Sequence, residues 1–212
     1  MRAPPLLLAG RLTLAGLLIS ACAGSAPAQR PPPVPEPVMT AAMAGASVIV
    51  VPITMVVAEP GLPAGTLAAD RVTLLQWADS VVGATVLERA PEVRWVLPPE
   101  LRRAARRSGG LVVDPDQMGQ AVLRQTSLRT VPDPLRSYLR NLMAVAGGGR
   151  YALVPAALIY SPGEDGLITV RLAAALADGR SGAILWRTEV EGRGADAAAA
   201  LRAALAIIFP IL

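Results

Sequence analysis

Apolar and polar positions alternate most regularly in the last third of the chain. Ile168, Val170, Leu172, Ala174 and Leu176 interleave with Thr169, Arg171, Ala173 and Ala175, a period of two with one apolar face. Ile184, Trp186, Thr188 and Val190 repeat the pattern against Arg187, Glu189 and Glu191. Between the two runs, Asp178-Gly179-Arg180-Ser181-Gly182 predicts a tight turn and an antiparallel hairpin. Centring that hairpin on Arg180 sets Arg171 opposite Glu189 and Ala174 opposite Trp186. Tyr151 to Tyr160 reads as a preceding strand, joined through a turn at 161–166. Asp196 to Phe209 predicts a closing helix stopped by Pro210, with Leu201, Leu205 and Ile208 packing on the sheet.

Upstream, Val38 to Ala58 carries no charge. Gly45, Pro52, Thr40, Ser47 and Thr54 interrupt it, and Val48 to Val57 is rich in β-branched residues, which favours a buried strand over a membrane span. One face of that strand would hold Ile49, Val51, Ile53, Met55 and Val57. Thr66 to Arg89 predicts a long helix with Ala68, Val72, Leu75, Ala78, Val82 and Val86 on one stripe and Asp70, Gln76 and Ser80 off it. Pro91 ends the helix, and Val93 to Leu97 reads as a short strand. Residues 98–149 read as helical and irregular. Asp114-Pro115 and Asp133-Pro134 resemble caps followed by proline at the first helical position, and Gly147 to Gly149 ends the last helix there. The order predicts an α/β fold: a two-layer or three-layer-like sandwich with a mixed five-stranded sheet and flanking helices. A helix joins the first two strands, so they can pair in parallel, while the C-terminal three form an antiparallel meander.

The N-terminus has the parts of an export signal: Arg2, then apolar runs at Leu6 to Leu8 and Leu12 to Ile19, then small residues Ser20 and Ala21. The apolar part falls short of the about 20 residues that span a bilayer. Leu18-Ile19-Ser20-Ala21-Cys22 resembles the lipobox of bacterial lipoproteins, in which the cysteine becomes the acylated first mature residue. The competing readings are an ordinary signal peptide with Cys22 incidental and an uncleaved anchor. The resemblance implies a membrane tether at Cys22. Ala23, in place of the aspartate that favours inner-membrane retention, implies the outer membrane with the domain facing the periplasm; inner membrane and cell surface remain open. Residues 26–38 are proline-rich, a semi-rigid spacer of about 40 Å at about 3.1 Å per residue. The expected organisation is therefore a signal peptide at 1–21, a lipidated cysteine and spacer at 22–46, and one α/β domain at 47–212.

Composition narrows the chemistry. The chain has 212 residues, no histidine and one cysteine, and each of its 20 basic residues is an arginine. The usual Ser-His-Asp and Cys-His nucleophile systems are excluded, as are Schiff-base and P-loop lysines, His- or Cys-based zinc sites and internal disulfides. Carboxylates, hydroxyls and guanidiniums remain, and no cofactor is expected. Losing Arg2 and Arg11 with the signal halves the formal net charge of +4. That balance and export both argue against a nucleic-acid partner.

Two further phrases carry a wider resemblance. Gly149-Arg150-Tyr151-Ala152-Leu153-Val154 resembles the entry into the sheet of periplasmic lipoprotein domains, and Leu176 through Trp186 resembles their hairpin, with Asp and Gly in the turn and Trp on the next strand. The group comprises penicillin-binding-protein activator lipoproteins, the core of the curli secretion lipoprotein and the small domain beside the Tol-system propeller. The resemblance spans about residues 47–209 and implies a non-enzymatic domain that binds other envelope proteins.

Within this frame the candidate partner-binding residues are Arg102, Arg103, Arg106 and Arg107, the densest charge cluster, on one broad face of a helix. The bland alternative is a solvated helix surface. Asp114 and Asp116, with Asp133, raise the rival reading of a carboxylate-based glycan hydrolase, against ordinary helix caps. Glu164-Asp165 reads as a solvated turn, and Trp77, Trp95 and Trp186 as core. The leading expectation is a lipid-anchored, non-catalytic envelope adaptor or accessory factor; a structural subunit of an envelope assembly is the third reading, and oligomeric state is left open.

Overall fold

The computed structural model describes residues 36–38 and 40–211, and the compact unit they fall in begins at Val34. Cys22, the signal segment and most of the spacer lie outside the described residues.

Six strands form one mixed sheet: Ser47–Val50 (β1), Val56–Ala58 (β2), Arg94–Val96 (β3), Tyr151–Pro162 (β4), Ile168–Asp178 (β5) and Ile184–Gly194 (β6). The order is β3-β1-β4-β5-β6, with β2 also paired to β4. β1 runs parallel to β3 and β4, β2 runs parallel to β4, and β4-β5-β6 is an antiparallel meander. Four helices flank it: Arg71–Arg89 (α1), Pro98–Arg107 (α2), Leu135–Val145 (α3) and Ala197–Ile208 (α4).

Each face of the sheet buries its own core. Val48, Val50, Leu153, Leu172 and Leu176 pack with α1 and α4. Ile49, Val51, Ala152, Val154 and Ala175 pack with α2, α3 and the short turns between them. Burial on both faces explains why β1 and β4 read as continuous apolar runs. The observed sandwich has three layers, with helices on either side of the sheet.

Four expectations are corrected in detail. The sheet has six strands, because the run at 48–57 splits: the ladder breaks at Pro52 and resumes at Val56. Ile53 accordingly joins the α1/α4 core, while Ile49 and Val51 join the other. α1 begins at Arg71 and not Thr66, because the Asp70 carboxylate accepts from Thr73 N at 2.7 Å and fixes the N-cap there. The hairpin register is displaced by two residues, Arg171 facing Glu191 and Leu176 facing Trp186. The pairing shifts between Leu176 and Ala177, which pairs with Ile184, so Leu185 is the extra residue of a bulge.

The core also reaches back before residue 47. Val38 and Met43 are buried, and Val38 N donates to Ile208 O at 3.0 Å, so the last part of the expected spacer packs on the domain. Trp95 is buried edge-on to Phe209, centroids 6.0 Å apart, and its Nε1 donates to Ala90 O. Trp77 and Trp186 are half-buried against the same core. Among the described residues no helix is long and apolar enough to cross a membrane.

Candidate functional site

The arginine cluster sits on α2, which Pro98 and Pro99 start without a side-chain cap, their missing donors costing nothing in the first turn. Leu101, Ala104 and Ala105 bury the inner face of the helix. That spacing turns Arg103, Arg106 and Arg107 to solvent and Arg102 sideways toward α1.

Arg102 is held by two carboxylates. Its Nε and Nη2 donate side-on to Asp116 at 2.9 and 2.7 Å, and Nη2 also donates to Asp79 Oδ2 at 2.5 Å. Asp79 stands on the inner face of α1 and its side chain is 3% exposed. Its second oxygen accepts from Ile53 N at 2.8 Å, a donor freed by the break between β1 and β2. Gln120 Nε2 donates to Pro52 O, and Arg71 Nη2 donates to Thr54 O at 2.8 Å. Three side chains thus take over the backbone groups that a continuous strand would have paired.

Burial pushes the Asp79 carboxyl up to about 6, against the downward pull of the Ile53 N–H and Arg102. It remains ionised at neutral pH. The two carboxylates push the Arg102 guanidinium upward in turn, outweighing its own desolvation.

A cleft of about 430 Å³ opens between α1 and α2 above this pair. Gly83, Ala84, Leu97 and Pro99 supply its apolar wall, Gln76 and Ser80 its polar side, and Arg103 and Arg106 its rim. Gly83 keeps the wall low: a Cβ there would stand 3.4 Å from Leu97. Arg103 and Arg106 make no ion pair among the described residues. The four arginines therefore separate into one tied residue, two that rim the cleft, and Arg107, exposed beside it. The geometry suits an acidic segment that lays an apolar side chain against Leu97 and its carboxylates against the rim.

The aspartates of the hydrolase reading are each occupied locally. Asp114 accepts from Asp116 N at 3.0 Å, Asp116 is taken by Arg102, and Asp133 accepts from Arg136 at 2.6 Å and Ser137 at 3.1 Å. Asp114-Pro115 opens a single 3-10 turn, Pro115–Gln117, and Asp133-Pro134 is a cis bond ahead of α3. Among the described residues no group of three metal-ligating side chains converges.

Sequence reasoning missed Asp79 and Gln120. Asp79 stands four residues after Leu75 and three before Val82, both on the apolar stripe of α1, and a carboxylate at that spacing was a detectable signal. Gln120 carries no pattern that sets it apart; only the fold brings it to Pro52.

No family model matches the chain, and no curated protein matches it. Several solved structures are similar to it. The LpoB C-terminal domain from Salmonella enterica is 18% identical, with 70% of this chain and 83% of that chain covered and a TM-score of 0.35. The PelC dodecamer from Paraburkholderia phytofirmans is 16% identical, with 84% and 93% covered and a TM-score of 0.41. Lipoprotein GNA1162 from Neisseria meningitidis is 19% identical, with 70% and 83% covered and a TM-score of 0.39.

Proposed function

We propose that this chain is a lipid-anchored accessory protein of the bacterial envelope, acylated at Cys22 in the outer membrane and facing the periplasm, that docks a partner protein and performs no catalysis. The mechanism is tethering. The acyl chains confine the domain to one surface, the proline spacer gives it reach, and confinement raises the effective concentration of the docking surface. The α1/α2 cleft then receives an acidic, apolar-tipped segment of the partner.

The observation that carries this reading is the cleft itself: two exposed guanidiniums without ion-pair partners among the described residues, over an apolar wall beside the buried Asp79–Arg102 pair. The candidate carboxylates, by contrast, are spent on capping and pairing. Crosslinking in intact cells followed by pull-down tests it. A defined envelope protein should be recovered with the native chain and lost with Arg103→Glu combined with Arg106→Glu. Recovery of the same partner at the same yield from that variant would remove the cleft from the account, and recovery of no envelope protein would remove the adaptor role.

A further inference from the structure

A second basic depression lies at the β6 edge of the sheet, where that strand begins. Residues 126–130 run beside that strand: Ile184 N donates to Arg129 O at 3.0 Å, and Thr130 bridges Ala183. The two segments border a depression of about 290 Å³, lined by Glu36, Thr126, Arg129, Leu185, Trp186 and Arg187.

Arg187 is the unusual residue. It pairs with Ala175 across the sheet and so faces the layer of α2 and α3, whereas Glu189, Glu191 and Arg193 further along the same face of β6 are exposed. Its Nε and Nη2 atoms are fully buried and have no hydrogen-bond partner among the described residues. A buried guanidinium edge without an acceptor is costly, and a bound ion is one of the few ways a native structure offsets it. Desolvation and the nearby Arg129 charge both push Arg187 downward, as expected of a cation lacking its counter-charge.

The same molecule shows what that edge binds. Arg102 uses the identical pair of atoms, Nε and Nη2, to grip both oxygens of Asp116. The unpaired edge of Arg187 has the same geometry, which suits bidentate pairing with an oxoanion. A carboxylate could reach Arg129 and Thr126 only through the two oxygens already on Arg187. A phosphate group has oxygens left for both.

We infer that Arg187, Arg129 and Thr126 form a phosphate-binding site at the start of β6. On binding, Arg187 turns its shielded Nε–Nη2 edge out into the depression, where two phosphate oxygens lie along it and another faces Arg129. The site depends neither on the anchor nor on the α1/α2 cleft, so it stands or falls separately from the adaptor reading. The phosphate is either inorganic or the headgroup of a phospholipid.

The full chain in mild detergent tests this by thermal unfolding, followed through tryptophan emission at constant ionic strength. Trp186 is a local reporter, since its Nε1 donates to Glu36 O at 2.9 Å on the rim of the site. Inorganic phosphate should raise the midpoint saturably, R187Q should abolish the rise, and R129Q should weaken the apparent affinity about tenfold. R193Q, which removes an exposed arginine of the same strand, should leave the response intact. Dihexanoyl phosphatidylglycerol below its micelle concentration separates the sources: a response to it identifies a lipid headgroup, and a response to inorganic phosphate alone identifies the free ion. If R187Q does not fold, phosphorus line broadening with wild type against R129Q gives the same comparison. No saturable shift, an equal shift in R187Q, or an equal shift with acetate overturns the inference. So does an E36Q variant that loses stability while phosphate has no effect on the wild type, because Glu36 would then be the internal counter-ion.

Discussion

Arg102 Nη2 lies 2.5 Å from Asp79 Oδ2, and through that contact α2 is fastened to α1 and to the broken strand at Ile53. One of the four arginines expected to form a binding patch is thus committed to holding the fold.

Removing it has a defined cost. In Arg102→Ala the buried Asp79 carboxylate keeps Ile53 N–H but loses its cation, which should destabilise the domain by about 3 kcal/mol. The pH dependence should change as well. The Asp79 carboxyl is already raised in the fold, to about 6, so the folded state holds a proton that the unfolded chain has released, and stability falls as pH rises from about 4 to 6. Without Arg102 the folded value climbs further, and the decline should extend through neutral pH. Urea unfolding between pH 4 and 8 measures both effects; an unchanged upper limit of the decline in the variant would show that Arg102 does not set the Asp79 ionisation.

Asp178 has the opposite sign. Its side chain is 4% exposed and accepts from Arg180 N and Ser181 N in the hairpin turn and from Arg150 Nε at 2.7 Å. The Ser181 N–H leads in holding the carboxyl down at about 2, with Arg150 next. A depressed carboxylate contributes stability above its unfolded value, about 2 kcal/mol at neutral pH, which disappears as pH falls from about 4 to 2. Arg150 is itself largely exposed, so its share is the smaller part. Asp178→Asn should lose about 1–2 kcal/mol at pH 7 and flatten the acid limb of the stability curve. An acid limb as steep as that of the wild type would assign it to other carboxylates.

The seating of α4 gives a third outcome. A Cβ on Gly192 would meet the backbone at Ala200 and Ala204, and one on Gly194 would meet Ala199 and Ala200. The helix rests directly on the β6 backbone, which accounts for both glycines and for the alanines of α4 in one contact. Gly192→Val should cost about 3 kcal/mol through overpacking against atoms that no rotamer change can move. Calorimetry on Gly192→Val against Ala199→Gly, a change in a partly buried residue of the same contact, checks whether the approach itself or helix propensity dominates.

These cases mark where sequence reading works. The alternation of Ile168–Leu176 and Ile184–Val190 was legible because a half-buried strand imposes a period of two, and the parallel β1/β3 pair was legible because a helix intervenes. The register was not, because the bulge at Leu185 depends on how Asp178 folds the turn around Arg180 and Ser181, which no alternation encodes. The misplaced register still left a trace: Arg171 Nε reaches Glu189 Oε1 diagonally at 3.9 Å. Val72 fitted the apolar stripe of α1 yet is 60% exposed, because the first turn of the helix projects past the core. In the cleft, the cluster of arginines was visible in the sequence. Its division into a tied Arg102 and a free Arg103 and Arg106 rests on Asp79 and Asp116, carboxylates 23 and 14 residues away from Arg102.

The proposed acylation at Cys22 makes the last prediction. Each buried methylene contributes about 0.8 kcal/mol, so one acyl chain holds marginally and two or more hold essentially permanently. A chain acylated at Cys22 should carry the mass of its lipids, partition into detergent, and fractionate with the outer membrane. Cys22→Ala removes the only thiol in the sequence and should yield a species without lipid mass. The variant domain should unfold at the wild-type midpoint while leaving the membrane fraction. Intact-protein mass spectrometry with fractionation reads all of this at once. A native chain of unmodified mass, or a Cys22→Ala variant that fractionates like the native chain, would place the membrane attachment elsewhere than this cysteine.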